Sequence, residues 1–335
     1  MILQERWGYR FQSANYFGGE IRGQIVDNDL KRIRLSLKTK MRIAVSTIHP
    51  LKSASSDERD RHWAFRCPLC NDDMEWFGVA DYQVDLTRLE PFAVWHCRGC
   101  DLFSRSVTAD VVARHFDVVT YMQPDNEPRM RSERTERSEW ILDLMQDRLG
   151  SKLRSVLDVG CGLGHLLQVG KLRGYAMDAV ELNDGLATRL GSLGFRVWRR
   201  LDEVSGTYDA ITFVDSFYYF PNPIETLARC KDLLHSNGLL LLRITNRNWL
   251  ANWNTRRRTL ELFGDATHSY SLMSMTKALT KSGLRLNEFL YRERVSQMSL
   301  RRKSLYVFGY SLTALSGKRW LFAPGLVLIA HRGDE

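Results

Sequence analysis

Two short patterns in this chain bring together residue types whose spacing can do chemistry. In the first, Val156-Leu157-Asp158-Val159-Gly160-Cys161-Gly162-Leu163-Gly164-His165-Leu166-Leu167, an apolar run leads to an acid, three glycines follow at alternate positions, and an apolar segment of helical character comes next. That order predicts strand, tight turn, helix. Glycine is needed where the backbone takes positive φ or where a ligand lies directly on the main chain. The segment therefore predicts a floor for a nucleotide-like ligand. Gly174 through Glu181 reads as a second strand ending in an acid, and Glu181 falls where a carboxylate following such a turn accepts hydrogen bonds from ribose hydroxyls.

The second pattern is the pair of knuckles Cys67-Pro68-Leu69-Cys70 and Cys97-Arg98-Gly99-Cys100. Each offers two thiolates to one metal, and four soft ligands suit a tetrahedral structural Zn²⁺ site. Trp76-Phe77 and Val94-Trp95 between them are strand-like, as in a zinc ribbon over residues 61–120. His62 and His96 flank the site and read as bystanders. A thioredoxin-like redox pair would work singly on a βαβ scaffold, and this segment has no such pattern.

The elements that must position these residues follow from periodicity. Ser132 to Leu149 is a charged, helix-prone stretch within a connector over 121–150, and from Leu153 onward strands and helices alternate. Alternation predicts a parallel-rich sheet covered on both faces. Arg196-Val197-Trp198 reads as a third strand, and Gly325 through His331 as the closing edge strand. Residues 1–60 form a poorly defined arm, with Ser53 to Asp60 reading as a linker.

The D-x-G-x-G-x-G spacing, with no phosphate-binding Lys-Ser/Thr after it, resembles the first motif of class I S-adenosylmethionine-dependent methyltransferases, in the branch of small-molecule and sugar-precursor enzymes. The resemblance runs over about residues 140 to 332. It continues through Tyr208-Asp209-Ala210-Ile211-Thr212-Phe213-Val214-Asp215, through Leu233 to Arg243, and through His268-Ser269-Tyr270-Ser271. It implies an α/β, Rossmann-like sheet of seven mostly parallel strands with helices on both faces, over residues 151–335, with S-adenosylmethionine as methyl donor. Asp158, Gly160, Gly162 and Gly164 would shape the pocket for the donor's amino-acid part, Glu181 would hold the ribose, and Leu182 would lie against adenine.

On the acceptor side the chain departs from the family. Tyr218 and Tyr219 stand where a Glu-His pair is usual, just ahead of Pro221. Tyr219 thus takes the place of the base, yet tyrosine titrates near 10 and is a poor base at neutral pH. His268 is the leading substitute, and Asp215, following the fourth strand, would touch donor or acceptor. An excursion over about 246–275, carrying Trp249 and Trp253, would build the acceptor pocket, and a basic aromatic excursion over about 292–322 reads as a lid, a dimer contact or a membrane-surface element.

Composition bounds the function. The 335 residues are 44% hydrophobic, enough for one large domain and a small one, and the six cysteines suit a reducing, cytoplasmic location. No run of about eighteen apolar residues is present. The net charge of +9 concentrates in Arg256-Arg257-Arg258, Arg292, Arg294, Arg301-Arg302-Lys303 and Lys318-Arg319, which suits a phosphate-bearing substrate, nucleic acid or an anionic membrane surface. The expected function is methyl transfer to a small molecule such as a sugar, glycan or other biosynthetic intermediate. RNA methylation is the second reading, weakened because Asp215-Ser216-Phe217-Tyr218 lacks the prolines of an exocyclic-amine turn. A non-catalytic binding module is the third, weakened by the intact glycines.

Overall fold

A computed structural model describes residues 65–84, 89–118, 127–246, 266–294, 298–317 and 321–333, and Phe65–Glu335 forms one compact unit. The arm over 1–60, His62, Trp249, Trp253, Arg256 to Arg258 and Lys318-Arg319 lie outside the described residues. Among the described residues no helix is long and apolar enough to cross a membrane.

The larger sheet is built from β4 (Ser155–Val159), β5 (Ala176–Val180), β6 (Arg196–Trp198), β7 (Tyr208–Val214), β8 (Leu234–Thr245), β10 (Leu284–Leu290) and β11 (Gly325–Arg332). These seven strands run in the order β10-β11-β8-β7-β4-β5-β6. The neighbours from β6 to β8 pair parallel, while β11 is antiparallel to both β8 and β10. The sheet is thus α/β and Rossmann-like, with β7 at its centre and β4 beside it. One expectation changes: β11 is inserted between β8 and β10 rather than lying at the edge, because the chain returns after β10 and pairs on both sides.

Buried parallel strands need apolar residues on both faces, and the pleat sends alternate residues to opposite layers. In β8, Leu240, Leu242 and Ile244 join one core, whereas Leu239 and Leu241 join the other. The second layer is filled by α2 (Glu127–Leu149), α3 (His165–Leu172) and α4 (Asp184–Ser192), through Trp140, Met145, Leu167 and Leu190. The first is filled by α5 (Pro223–Leu233) and α6 (Leu272–Lys281), through Leu227, Cys230, Met275 and Leu279.

Cys67, Leu69, Met74, Cys97, Cys100 and Leu102 belong to that same first core. The cysteine segment forms a sheet of β1 (Glu75–Gln83), β2 (Leu89–His96) and β3 (Phe103–Arg105), to which β9 (His268–Ser269) adds as a fourth antiparallel strand. A segment of this size buries too little apolar surface alone. Its core is continued by the larger domain, and the excursion after β8 is stitched into its sheet. Helix α1 (Ala109–Val118) follows β3, and α7 (Leu300–Leu315) lies within the basic aromatic stretch.

Candidate functional site

The glycine turn joins β4 to α3. Gly160, Gly162 and Gly164 have φ of 74°, 56° and 75°, a left-handed conformation that costs an L side chain about 1–2 kcal/mol. A Cβ on Gly160 would sit 2.5 Å from Ser216 Cβ, so the turn lies directly against the chain that leaves β7. Gly160 N–H donates to Val180 O at 2.8 Å, fixing the turn to the end of β5. One residue on, the Glu181 carboxylate accepts from Gly162 N at 2.7 Å and from Asn183 N at 2.9 Å. The acid and the turn expected from distant parts of the sequence are thus in direct contact.

Asp158 is buried beneath the turn and accepts from Thr212 Oγ1 at 2.8 Å. Burial, with the charge of Glu181 adding to it and the Thr212 hydrogen bond opposing it, pushes its carboxyl up to about 7. Glu181 is raised by burial too, against the N–H groups of Asn183 and Gly162. Two acids in one dry place favour a cationic ligand. Leu182, 37% exposed, stands beside them.

His165 directly follows the last glycine of the turn. It is the first residue of α3 and is buried, and its Nε2 makes no hydrogen bond among the described residues. Burial, then the charge of Arg134, push it down to about 4, so the ring is neutral at pH 7. Arg131 and Arg189 act in the same direction and Glu127 against them. The signal for this site was its position directly after the last glycine, where the side chain turns back over the loop.

A rim beside the turn, expected to meet the acceptor, is made by side chains from separated elements. Asp215, one residue past β7, has φ of 60°, uncommon outside glycine, asparagine and aspartate. Its carboxylate bonds Arg243 of β8 and, at 3.2 Å, Arg137 of α2. Arg243 NH2 also donates to both oxygens of Glu293, at 3.0 and 3.2 Å. Burial alone would raise the Asp215 carboxyl, but the guanidinium groups of Arg243 and Arg137 outweigh it and hold it below the usual range. The sequence reading singled out Asp215 and missed Arg137, Arg243 and Glu293. Arg243 had a visible signal, a charge inside the apolar run from Leu239 to Ile244.

Tyr219 ends the short turn Phe217–Tyr219, its ring edge-on to Phe116 of α1 at 4.7 Å. His268 differs from its expected part as base. Nε2 lies 3.2 Å from Pro221 O, which can only accept, so Nε2 carries the proton, and Nδ1 accepts from Ser104 Oγ at 3.0 Å. Both nitrogens are engaged, and burial, opposed by the Pro221 carbonyl, pushes the ring down to about 4. The ring fastens β3, β9 and the Pro221 loop together and has no lone pair left to take a proton from an acceptor.

The four sulfurs of Cys67, Cys70, Cys97 and Cys100 lie within 4.8 Å of one another. Cys67 and Cys100 are 3.4 Å apart, Cys70 and Cys97 3.3 Å. Zn–S bonds of about 2.3 Å in a tetrahedron place sulfurs about 3.8 Å apart, so the quartet fits. The two knuckles repeat one geometry. Cys67 N donates to Asp72 O and Cys97 N to Leu102 O, Asn71 N to Cys67 O and Asp101 N to Cys97 O. Asn71 and Asp101 both take positive φ. The hydrogen bond from Cys100 lowers Cys67 to about 5, while the same contact raises Cys100 and burial raises Cys70 to about 12. Only a dication lets all four be thiolates together.

Comparisons with known proteins place this geometry. A protein family described as a methyltransferase domain matches residues 102–288. A ubiquinone biosynthesis O-methyltransferase of Dechloromonas aromatica is 26% identical over 144 residues, covering 39% of this chain and 62% of the relative. One of Xanthomonas campestris is 32% identical over 117 residues, covering 32% of this chain and 49% of the relative. The chain thus spans about half to three-fifths of the curated relatives it matches. Among solved structures, the plantazolicin methyltransferase BpumL in complex with SAH is 18% identical with a TM-score of 0.46, over 67% of this chain and 94% of that one.

Proposed function

As the chain belongs to the methyltransferase-domain family, we propose that it transfers a methyl group from S-adenosylmethionine to an oxygen of a small-molecule acceptor. The observation that carries this reading is the left-handed glycine turn with Glu181 hydrogen-bonded to its middle residue. The donor, when bound, supplies a methyl group on a sulfonium, which leaves as a neutral thioether when the acceptor oxygen takes the methyl in line. The chain's residues bind and align. Glu181 takes the ribose hydroxyls, Leu182 the adenine face, and Asp158 with Gly160, Gly162 and Gly164 the amino-acid part. His165, with Arg134 beside it, faces the donor carboxylate.

The choice of oxygen draws on the O-methyltransferase relatives, and the rim narrows the kind of hydroxyl. Among the described residues singled out as catalytic, Asp215 is ion-paired and His268 is hydrogen-bonded through both nitrogens. Tyrosine, the residue type at 219, is ordinarily a poor base at neutral pH. This arrangement suits an acceptor whose hydroxyl ionises readily, such as a phenol or enol. A sugar hydroxyl, the acceptor expected from the family resemblance, needs a base from elsewhere. Cys67, Cys70, Cys97 and Cys100 hold a structural Zn²⁺ in this reading.

Calorimetry of zinc-loaded protein with SAH tests the donor assignment, and absence of binding refutes it. Methylation of a panel of phenols and nucleotide-linked sugars, read by mass spectrometry, tests the acceptor class. Exclusive turnover of the sugars would overturn the acidic-hydroxyl reading. RNA retention that falls steeply with salt, together with methylated RNA, would favour the nucleic-acid reading instead.

A further inference from the structure

We infer that the cysteine segment forms a wall of the donor pocket: helix α1, through the Phe116 carbonyl, positions Asn183 and through it Glu181, so that metal loading and donor binding strengthen each other. The inference rests on the donor reading above.

The path is a chain of short contacts. Cys97 N donates to Leu102 O, so the second knuckle fixes the residue just ahead of β3, and β3 leads into α1. Val107, Val111 and Val112 pack with Tyr82 and Val84 in one apolar cluster, which also takes in Phe116 and Tyr219. At the last turn of α1 the Phe116 carbonyl accepts from Asn183 Nδ2 at 3.0 Å. Asn183 is used three ways. Its N–H donates to Glu181 Oε1 at 2.9 Å, its Oδ1 caps α4 by accepting from Leu186 N at 2.9 Å, and its amide nitrogen reaches α1. The amide orientation is set by having an acceptor on one side and a donor on the other.

The physical consequence is linkage. A cation in the quartet fixes the knuckles, β3 and α1, and α1 holds the loop that carries the ribose carboxylate. A donor that engages Glu181 orders the same loop from its other end. If metal raises donor affinity by some factor, donor raises metal affinity by the same factor. Asn183 is a positioning residue in this scheme, since it acts through Glu181.

The experiment uses the full chain. Zinc affinity is measured by competition with a chelator of known affinity, with and without saturating SAH, and SAH affinity is measured by calorimetry on zinc-loaded protein. Wild type is expected to hold zinc at least about fivefold more tightly with SAH bound. Asn183→Ser keeps a hydroxyl to cap α4 and the backbone N–H to Glu181, but is too short to reach α1. Asn183→Asp keeps length and cap but places an acceptor against the Phe116 carbonyl. Both variants should still bind SAH when zinc-loaded, with the SAH effect on zinc affinity reduced to less than about twofold. This separates a direct path from the general stabilisation any ligand gives a folded chain. SAH that binds wild type without changing its zinc affinity overturns this inference alone, as does a wild-type factor in both variants. Zinc-loaded wild type that does not bind SAH overturns the donor assignment and this inference with it.

Discussion

The glycine turn after β4 and the rim after the neighbouring β7 lie side by side, Gly160 against Ser216, and they are built by opposite means. In the turn the working geometry is backbone: three left-handed glycines within five residues and a carboxylate bound to a main-chain N–H. Its buried acids Asp158 and Glu181 both have raised pKa values, which suits the cationic donor proposed above. The rim is side chain: Asp215, Arg243, Arg137 and Glu293 come from four separate segments and satisfy one another. The acids of the turn accept from N–H and hydroxyl groups, whereas the rim is closed on itself as a buried quartet of paired charges, which mainly holds elements in place.

The largest effect that distinguishes the two is expected from Arg243→Met. Removing one partner leaves Asp215 and Glu293 buried beside each other, and unfolding free energy should fall by about 3–5 kcal/mol; an unchanged calorimetric melting temperature would refute the closed-quartet account. Next is Gly160→Val, which places a branched side chain at positive φ against Ser216. Donor affinity should fall at least about a hundredfold, from the left-handed cost and the overpacking together. Wild-type SAH affinity in this variant would show that the turn is not the floor of the pocket.

Smaller effects follow from titration. Burial holds the Asp158 carboxyl up at about 7, so a cationic donor bound as proposed must displace its proton at lower pH. Donor affinity should decrease as pH falls below 7, approaching about tenfold per unit, and a flat profile from pH 5.5 to 8 would exclude Asp158 from the cation site. On the rim, the folded pKa of His268, near 4, lies below its unfolded value of about 6.5. The unfolded chain then binds the extra proton first, so the stabilisation is complete above about 6.5 and is lost as pH falls toward 4. His268→Gln should flatten that part of the melting-temperature profile relative to wild type, leaving the share contributed by His165. The smallest change is expected from Tyr219→Phe, which keeps the edge-on contact with Phe116. Its donor affinity should stay within about twofold of wild type, and a larger loss would give the hydroxyl a part in donor binding.

Legibility in the sequence tracks how local each feature is. The glycine turn, the two knuckles and the order of strands rest on backbone constraints that act within a few residues, and these could be read directly. His165 is adjacent to the turn, but its burial could not be read, because burial is not a local property. His268 was read as a base from its place in an excursion. The structure engages both its nitrogens, with Ser104 and with Pro221, partners far from it in sequence. Arg243 could have been noticed as a charge within a buried strand, but its partners Asp215 and Glu293 could not.

The sequence by itself determined the α/β alternation, the positions that demand glycine, the acid that ends β5, and the pairing of cysteines into knuckles, because φ sterics and ligand spacing are fixed by residue type over short stretches. Tertiary structure alone decided that β11 inserts between β8 and β10, that β9 completes the sheet of the cysteine segment, and that α1 reaches Asn183 beside Glu181. Those outcomes depend on which apolar faces find each other and which buried polar groups must be satisfied, and that choice is made only when the whole core closes.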